Sequence, residues 1–146
     1  LIETQSPDDI GAINDLCHDL LFAISGITFD RAAGILEVPL EHCDVSEAAV
    51  KTWCFGLVQR FAVQPRLRIL RFSKVTDFRV VDEAEVDAGC FNVLTWAAGC
   101  ITVTSSLPVT LTIETSGFGV AVIQTDIAVG AVSKGWRLGI LEGWGR

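Results

Sequence analysis

The stretch Leu107 to Ser116, LPVTLTIETS, sets Leu107, Val109, Leu111 and Ile113 against Thr110, Thr112 and Glu114. Successive residues of an extended chain point to opposite faces, so this alternation describes a strand with one face buried and one in water. A chain in which that period recurs must pair its strands into sheets, mostly antiparallel. It does recur. Ile27 and Phe29 alternate on one arm, and Leu36, Val38 and Leu40 on another, around a turn at Asp30 to Gly34 where glycine can take positive φ. "RLRILRF" and "TDFRVVD" read as further strands, and Ser116-Gly117 leads into the more evenly apolar "FGVAVIQTDI". The segment 92–103, NVLTWAAGCITV, lies over 27–38, ITFDRAAGILEV, without a gap, and both turns read Ala-Ala-Gly. A hairpin is expected at each place.

Only the N-terminus departs clearly from this period. "SPDDIGAINDLCHDL" offers Ser6 as N-cap, Pro7 in the first turn, and Asp8 and Asp9 against the positive end of the helix dipole. Ile10, Ile13, Leu16 or Cys17, and Leu20 then form one apolar stripe. The segment Asp44 to Phe61 fits two periods. Val50, Trp53, Cys54, Leu57, Val58 and Phe61 suit a helix behind an Asp44–Glu47 capping box, but "TWCFGLV" is rich in strand formers and contains Gly56. A strand from about Thr52 is the expectation. The predicted fold is α+β: one short N-terminal helix and a mainly antiparallel sheet of roughly seven to nine strands, a sandwich or a curled sheet. It should form a single domain over 1–146, with 130–146 as a C-terminal extension.

A formal net charge of −7 argues against nucleic-acid binding, which usually needs a basic face. Five cysteines without any C-x-x-C spacing cannot all pair within one chain, so a reduced, cytoplasmic setting is expected. The apolar run IAVGAVSKGWRLGIL is interrupted by Lys134 and Arg137, so no membrane span is expected. No signal peptide is visible, and the lack of methionine suggests a processed or trimmed N-terminus.

The two histidines each stand between a thiol and a carboxylate, in Cys17-His18-Asp19 and His42-Cys43-Asp44. Adjacent residues diverge on a helix or a strand, so these pairs do not make a convergent metal site, and neither metal nor cofactor is expected. Asp15, His18 and Asp19 share one polar helix face, which as a catalytic set would make Asp15 orient His18 as general base. Such sets are more often solvated face charges, and His18 is expected to matter for stability, bridging the helix end to a carboxylate or a strand carbonyl. P-loop, G-x-S-x-G and helix-opening G-x-G-x-x-G motifs are absent. Asp77, Asp82, Glu83, Glu85 and Asp87 form an acidic run without the spacing of a calcium loop. Trp136 and Trp144, each after a glycine, suit an oligomer contact.

The order HDLLFAISGITFDRAAGILEVPLE, LRILRFSKVTDFRVVDE, FNVLTWAAGCITVTSSLPVTLTIE resembles small bacterial β-rich proteins, some similar to immunity proteins of polymorphic toxin systems. The resemblance spans about 15–125 and implies a non-enzymatic, intracellular protein-binding domain. Its acidic run would face a basic protein partner and speed association. The alternatives are a small metal- or ligand-dependent enzyme using Asp15, His18 and Asp19, and a structural homo-oligomer through Trp136 and Trp144.

Overall fold

Pro7 cannot continue an α-helical hydrogen-bond ladder but starts one readily, and the computed structural model of the protein opens its helical segment there, as a 3-10 turn that runs into the α-helix at Ile10. It describes residues 1–44, 49–53, 55–138 and 141–145. A short strand β1 (Ile2–Thr4) precedes a 3-10 turn at Pro7–Asp9, in which the Asp8 amide donates to the Ser6 hydroxyl at 3.2 Å. Helix α1 (Ile10–Cys17) follows and buries Ile13 and Cys17, while Ile10, Leu16 and Leu20 pack partly against the same core. The predicted stripe is therefore the buried one.

Beyond α1 the chain is strand: β2 (Leu21–Ala23), β3 (Thr28–Asp30), β4 (Ile35–His42), β5 (Ala49–Trp53), β6 (Val58–Val63), β7 (Arg66–Phe72), β8 (Val75–Asp82), β9 (Ala88–Ala97), β10 (Cys100–Ser105), β11 (Val109–Thr115), β12 (Val120–Ala128), β13 (Ser133–Leu138) and β14 (Leu141–Gly145). Ten strands form one sheet in the order β1-β12-β7-β4-β2-β9-β10-β11-β8, with β3 paired on β4. The other four form a second sheet, β14-β13-β6-β5. The α+β, mainly antiparallel class is as expected. The strand number is higher than expected because the short strands β1 and β2 carry too few residues to show a period and two further segments hid hairpins. Phe55 to Leu57 turn within the ambiguous Asp44–Phe61 segment, between β5 and β6, with Gly56 at φ +86°, and the glycine-rich tail from 133 makes a hairpin of its own. Glu47, half of the capping box that the helical alternative would use, lies outside the described residues.

The chain divides into two compact units, one of Leu1–Leu40 with Arg68–Thr125, the other of Glu41–Leu67 with Asp126–Arg146. The first unit holds the main core. Leu36, Val38 and Leu40 on β4, Leu70 and Phe72 on β7, Ile101 and Val103 on β10, and Val109, Leu111 and Ile113 on β11 are all buried. Each removes an aliphatic or aromatic side chain from water, worth about 1.5–3 kcal/mol apiece. Leu107, by contrast, is 38 % exposed and stands before the strand, since Pro108 lacks the N–H that would extend the ladder.

Both Ala-Ala-Gly segments turn, with Gly34 at φ +64° and Gly99 at φ +78°. The turns nonetheless differ. Asp30 pairs with Ile35 across a four-residue loop, whereas Ala97 pairs with Cys100 across only Ala98 and Gly99. In the tighter loop Ala98 is itself at φ +50°, the pattern of a type I′ turn in which both central residues are left-handed.

Candidate functional site

The end of α1 is where His18 was expected to tie the helix to the sheet. His18 caps the helix by its backbone, its N–H bonding the Asn14 carbonyl at 2.8 Å. Its Nδ1 lies 3.0 Å from the Asp19 carboxylate, with side chains 55 % and 77 % exposed. The tie from helix to sheet is made by other groups. Asn14 Nδ2 donates to the Leu94 carbonyl at 3.1 Å, and the Leu94 N–H donates to Asn14 Oδ1 at 2.7 Å, so the amide side chain pairs with β9 as a strand would. Asp19, at φ +63°, donates its N–H to Phe91 O, and Phe91 returns one to Leu20 O, both at 2.8 Å. Buried Arg68 donates from Nη1 to the Leu16 carbonyl, a cation at the negative end of the helix.

Arg68 and Asn14 were not anticipated. The signal for Arg68 was present, because in "RLRILRF" it shares the phase of buried Leu70 and Phe72. Nothing in the sequence marked Asn14. His42 closes β4, and Cys43 Sγ lies 3.8 Å from Ser133 Oγ. Among the described residues no three of His, Cys, Asp and Glu converge to hold a metal ion.

The acidic run serves partly to build the β8–β9 connection. The Asp82 carboxylate accepts the N–H groups of Val86 at 3.2 Å and Asp87 at 2.9 Å. Asp87 accepts the Ser25 N–H and hydroxyl, each at 2.8 Å, and its carbonyl accepts the Ile24 N–H. These bonds hold Glu85 and Asp87 at φ +52° and +53°, where non-glycine residues are uncommon. Asp77 pairs with Arg31 at 3.2 Å, an exposed pair worth at most about 1 kcal/mol. Glu83, Glu85 and Val86 remain exposed at the tip.

A shallow groove of about 430 Å³ opens beside β3 and β4, lined by Thr28, Phe29, Asp30, Ile35, Glu37 and Arg71. Its strongest charges cancel, for Arg71 and Glu37 are 2.7 Å apart.

The four-stranded sheet gathers several exposed large apolar side chains. Directly opposed residues of an antiparallel pair lie on the same face, so the register assigns each position. One row runs Lys51, Arg60, Trp136, Gly143, and the next Trp53, Val58, Leu138, Leu141. Ala62 and Lys134 lie opposite each other in a third row of that face. On it Trp53 is 55 % exposed, Trp136 45 % and Leu141 59 %, and Leu138 is likewise open. The Arg60 guanidinium stacks over the Trp53 ring at 4.9 Å. The Trp136 indole packs over Gly143, where a Cβ would meet Nε1 at 2.5 Å. At the adjoining turn Phe55 is wholly exposed at φ +58°, with Leu57 beside it. Among the described residues this face carries Lys51, Arg60 and Lys134 and no carboxylate; Glu142 stands opposite Arg137 on the other face, 2.9 Å from it. The same register puts Trp144 opposite Gly135, so positions 136 and 144 belong to alternate faces of the hairpin.

Charge divides the same way. The first unit carries thirteen acidic and five basic residues, the second five and six. Among the described residues no helix is long and apolar enough to cross a membrane. No protein-family model, curated protein or solved structure matches the chain.

Proposed function

We propose that the protein is a non-enzymatic protein-binding domain whose contact surface is the open face of the four-stranded sheet. The observation that carries this reading is the set Trp53, Phe55, Trp136, Leu138 and Leu141, large apolar side chains exposed together around one face and its turn. Contiguous apolar surface rimmed by charge is what interaction sites expose, and Trp with Arg is the pairing that dominates binding energy in interfaces. The stacked Arg60–Trp53 pair and Trp136 packed over Gly143 are held in place before any partner arrives, which lowers the ordering cost of association.

A second reading retains the exposed tip at Glu83, Glu85 and Val86 as a contact for a basic protein, favoured by the acid excess of the first unit. An enzymatic use of Asp15, His18 and Asp19 finds less support, because the His18 and Asp19 side chains stand more than half exposed to solvent.

A photo-crosslinking residue at Leu141, at Glu83 or at exposed Thr95 separates these surfaces in cells that make the protein. A defined heteromeric product from position 141, lost on Trp53→Ala with Trp136→Ala, supports the sheet face. Products only from position 83 favour the acidic tip. Equal, diffuse labelling from all three positions defeats both.

A further inference from the structure

The sheet face has a chemistry that restricts its partner. Lys51 and Arg60 are directly opposed in the ladder, an arrangement in which like charges repel. Lys134 adds a third cation, and among the described residues no carboxylate shares the face. Arg60 draws its guanidinium over the Trp53 ring, 4.9 Å from the centroid, yet both cations stay open to solvent, and a bound anion would offset their charge. Two copies of the face set against each other would oppose six cations, so symmetric self-association through it is disfavoured, as is any basic partner.

Apolar atoms supply the rest of the surface. The row Trp53, Val58, Leu138, Leu141 runs beside the cationic one, two residues along each strand. With the Trp136 ring packed against Gly143 and the Arg60 guanidinium drawn over the Trp53 ring, these large side chains lie against the sheet, which makes the face a platform and not a protruding wedge. A platform suits a partner laid along it more than insertion among lipid chains. From these observations we infer that the face of Lys51, Arg60, Lys134, Trp53 and Trp136 docks an acidic protein segment that interleaves carboxylates with apolar side chains. The carboxylates sit over the row of Lys51 and Arg60, and the apolar side chains over the row of Trp53 and Leu138. This rests on the protein-binding reading and specifies the partner for it.

The test uses the full chain and a fluorescein-labelled synthetic peptide of alternating glutamate and leucine, followed by anisotropy. Three further probes accompany it: the lysine–leucine counterpart, oligothymidylate, and vesicles of phosphatidylcholine with phosphatidylserine. The glutamate peptide should bind and the lysine peptide should not. Arg60→Glu and Lys134→Glu should each weaken binding by at least about tenfold, and rising salt should weaken it further. Arg79→Glu, an exposed cation on β8, should leave it within about twofold. Circular dichroism melts identify any variant that misfolds, and Lys51→Gln, the mildest change, then takes its place. Equal binding of both peptides, binding only to oligothymidylate or vesicles, no binding of any probe, or indifference to all three charge changes overturns the inference. If crosslinking from position 141 still gives a partner, the protein-binding reading survives that failure; if it does not, both fall together.

Discussion

Cys17 is fully buried at the end of α1, and burial pushes its thiol up from 9.0 to about 12, while the nearby Arg68 charge pulls the other way. Between those two values the unfolded chain has lost the proton and the folded chain keeps it. The folded state binds more protons there, so this group's contribution is intact below pH 9 and declines as pH rises toward 12. Denaturation at stepped pH should show wild type losing about 1.4 kcal/mol per pH unit more than Cys17→Ala above pH 9. Parallel slopes would mean that the thiol ionises in the folded state. Two neighbours of Cys17 make a second comparison. Asn14→Ala removes both bonds to Leu94 and leaves a partly buried N–H and C=O unpaired, so it should cost about 1–3 kcal/mol. His18→Ala removes an exposed side chain beside an exposed carboxylate and should cost less than about 0.5 kcal/mol. If His18→Ala is the more damaging in urea melts, the assignment of the helix–sheet tie to Asn14 is wrong. The sequence suggested His18 for that tie, since a histidine flanked by acids stands out and a lone asparagine does not.

The two Ala-Ala-Gly hairpins show what an element adds to a residue. A Cβ on Gly34 would sit 3.1 Å from the Val75 carbonyl, whose own N–H bonds Gly34 O at 2.9 Å, so that turn is pinned against β8. Gly99 has more room, the nearest atom being Thr115 O at 3.4 Å. Both valine variants carry the strain of positive φ, roughly 1–3 kcal/mol, and Gly34→Val should be the worse because it also clashes with backbone. Ala98 is the converse case. At φ +50° in a two-residue turn it is an alanine where asparagine is preferred, so Ala98→Asn should stabilise the fold by about 0.5–1 kcal/mol. Thermal melts of the three variants check the order, and an Ala98→Asn protein that melts below wild type would refute the turn assignment. Aromatic rings laid over strand glycines are a second device at this scale. Phe22 covers Gly89 across the β2–β9 pair, as Trp136 covers Gly143, and in each a Cβ would collide with the ring.

Across the whole molecule the dominant asymmetry is electrostatic. Thirteen acids against five bases within the first unit repel one another at low ionic strength. Raising sodium chloride from about 0.01 to 0.15 M shortens the screening length from roughly 30 to 8 Å, and the melting temperature should rise with it. A fall in melting temperature over that range would show that net attractive pairs, not self-repulsion, dominate the folded state. The same salt should weaken the partner contact proposed for the sheet face, so stability and binding are expected to move in opposite directions.

Much of this architecture follows from local chemistry. The phases of 35–40, 66–72 and 109–115 decided which side chains turn inward, because a strand has no other way to separate apolar from polar groups. Ser6 and Pro7 decided where the helix begins, since its first donors need a side-chain acceptor and proline needs no donor. The site was far less legible. Lys51, Arg60 and Trp136 come from three strands, and the two ends of that row are ninety-two positions from Lys51 to Gly143. Which strands become neighbours, and in what register, depends on contacts between segments distant in the chain. An acidic run such as 82–87 is visible in any reading of the sequence. Three cations scattered through a chain of net charge −7 become one face only when tertiary pairing aligns their strands.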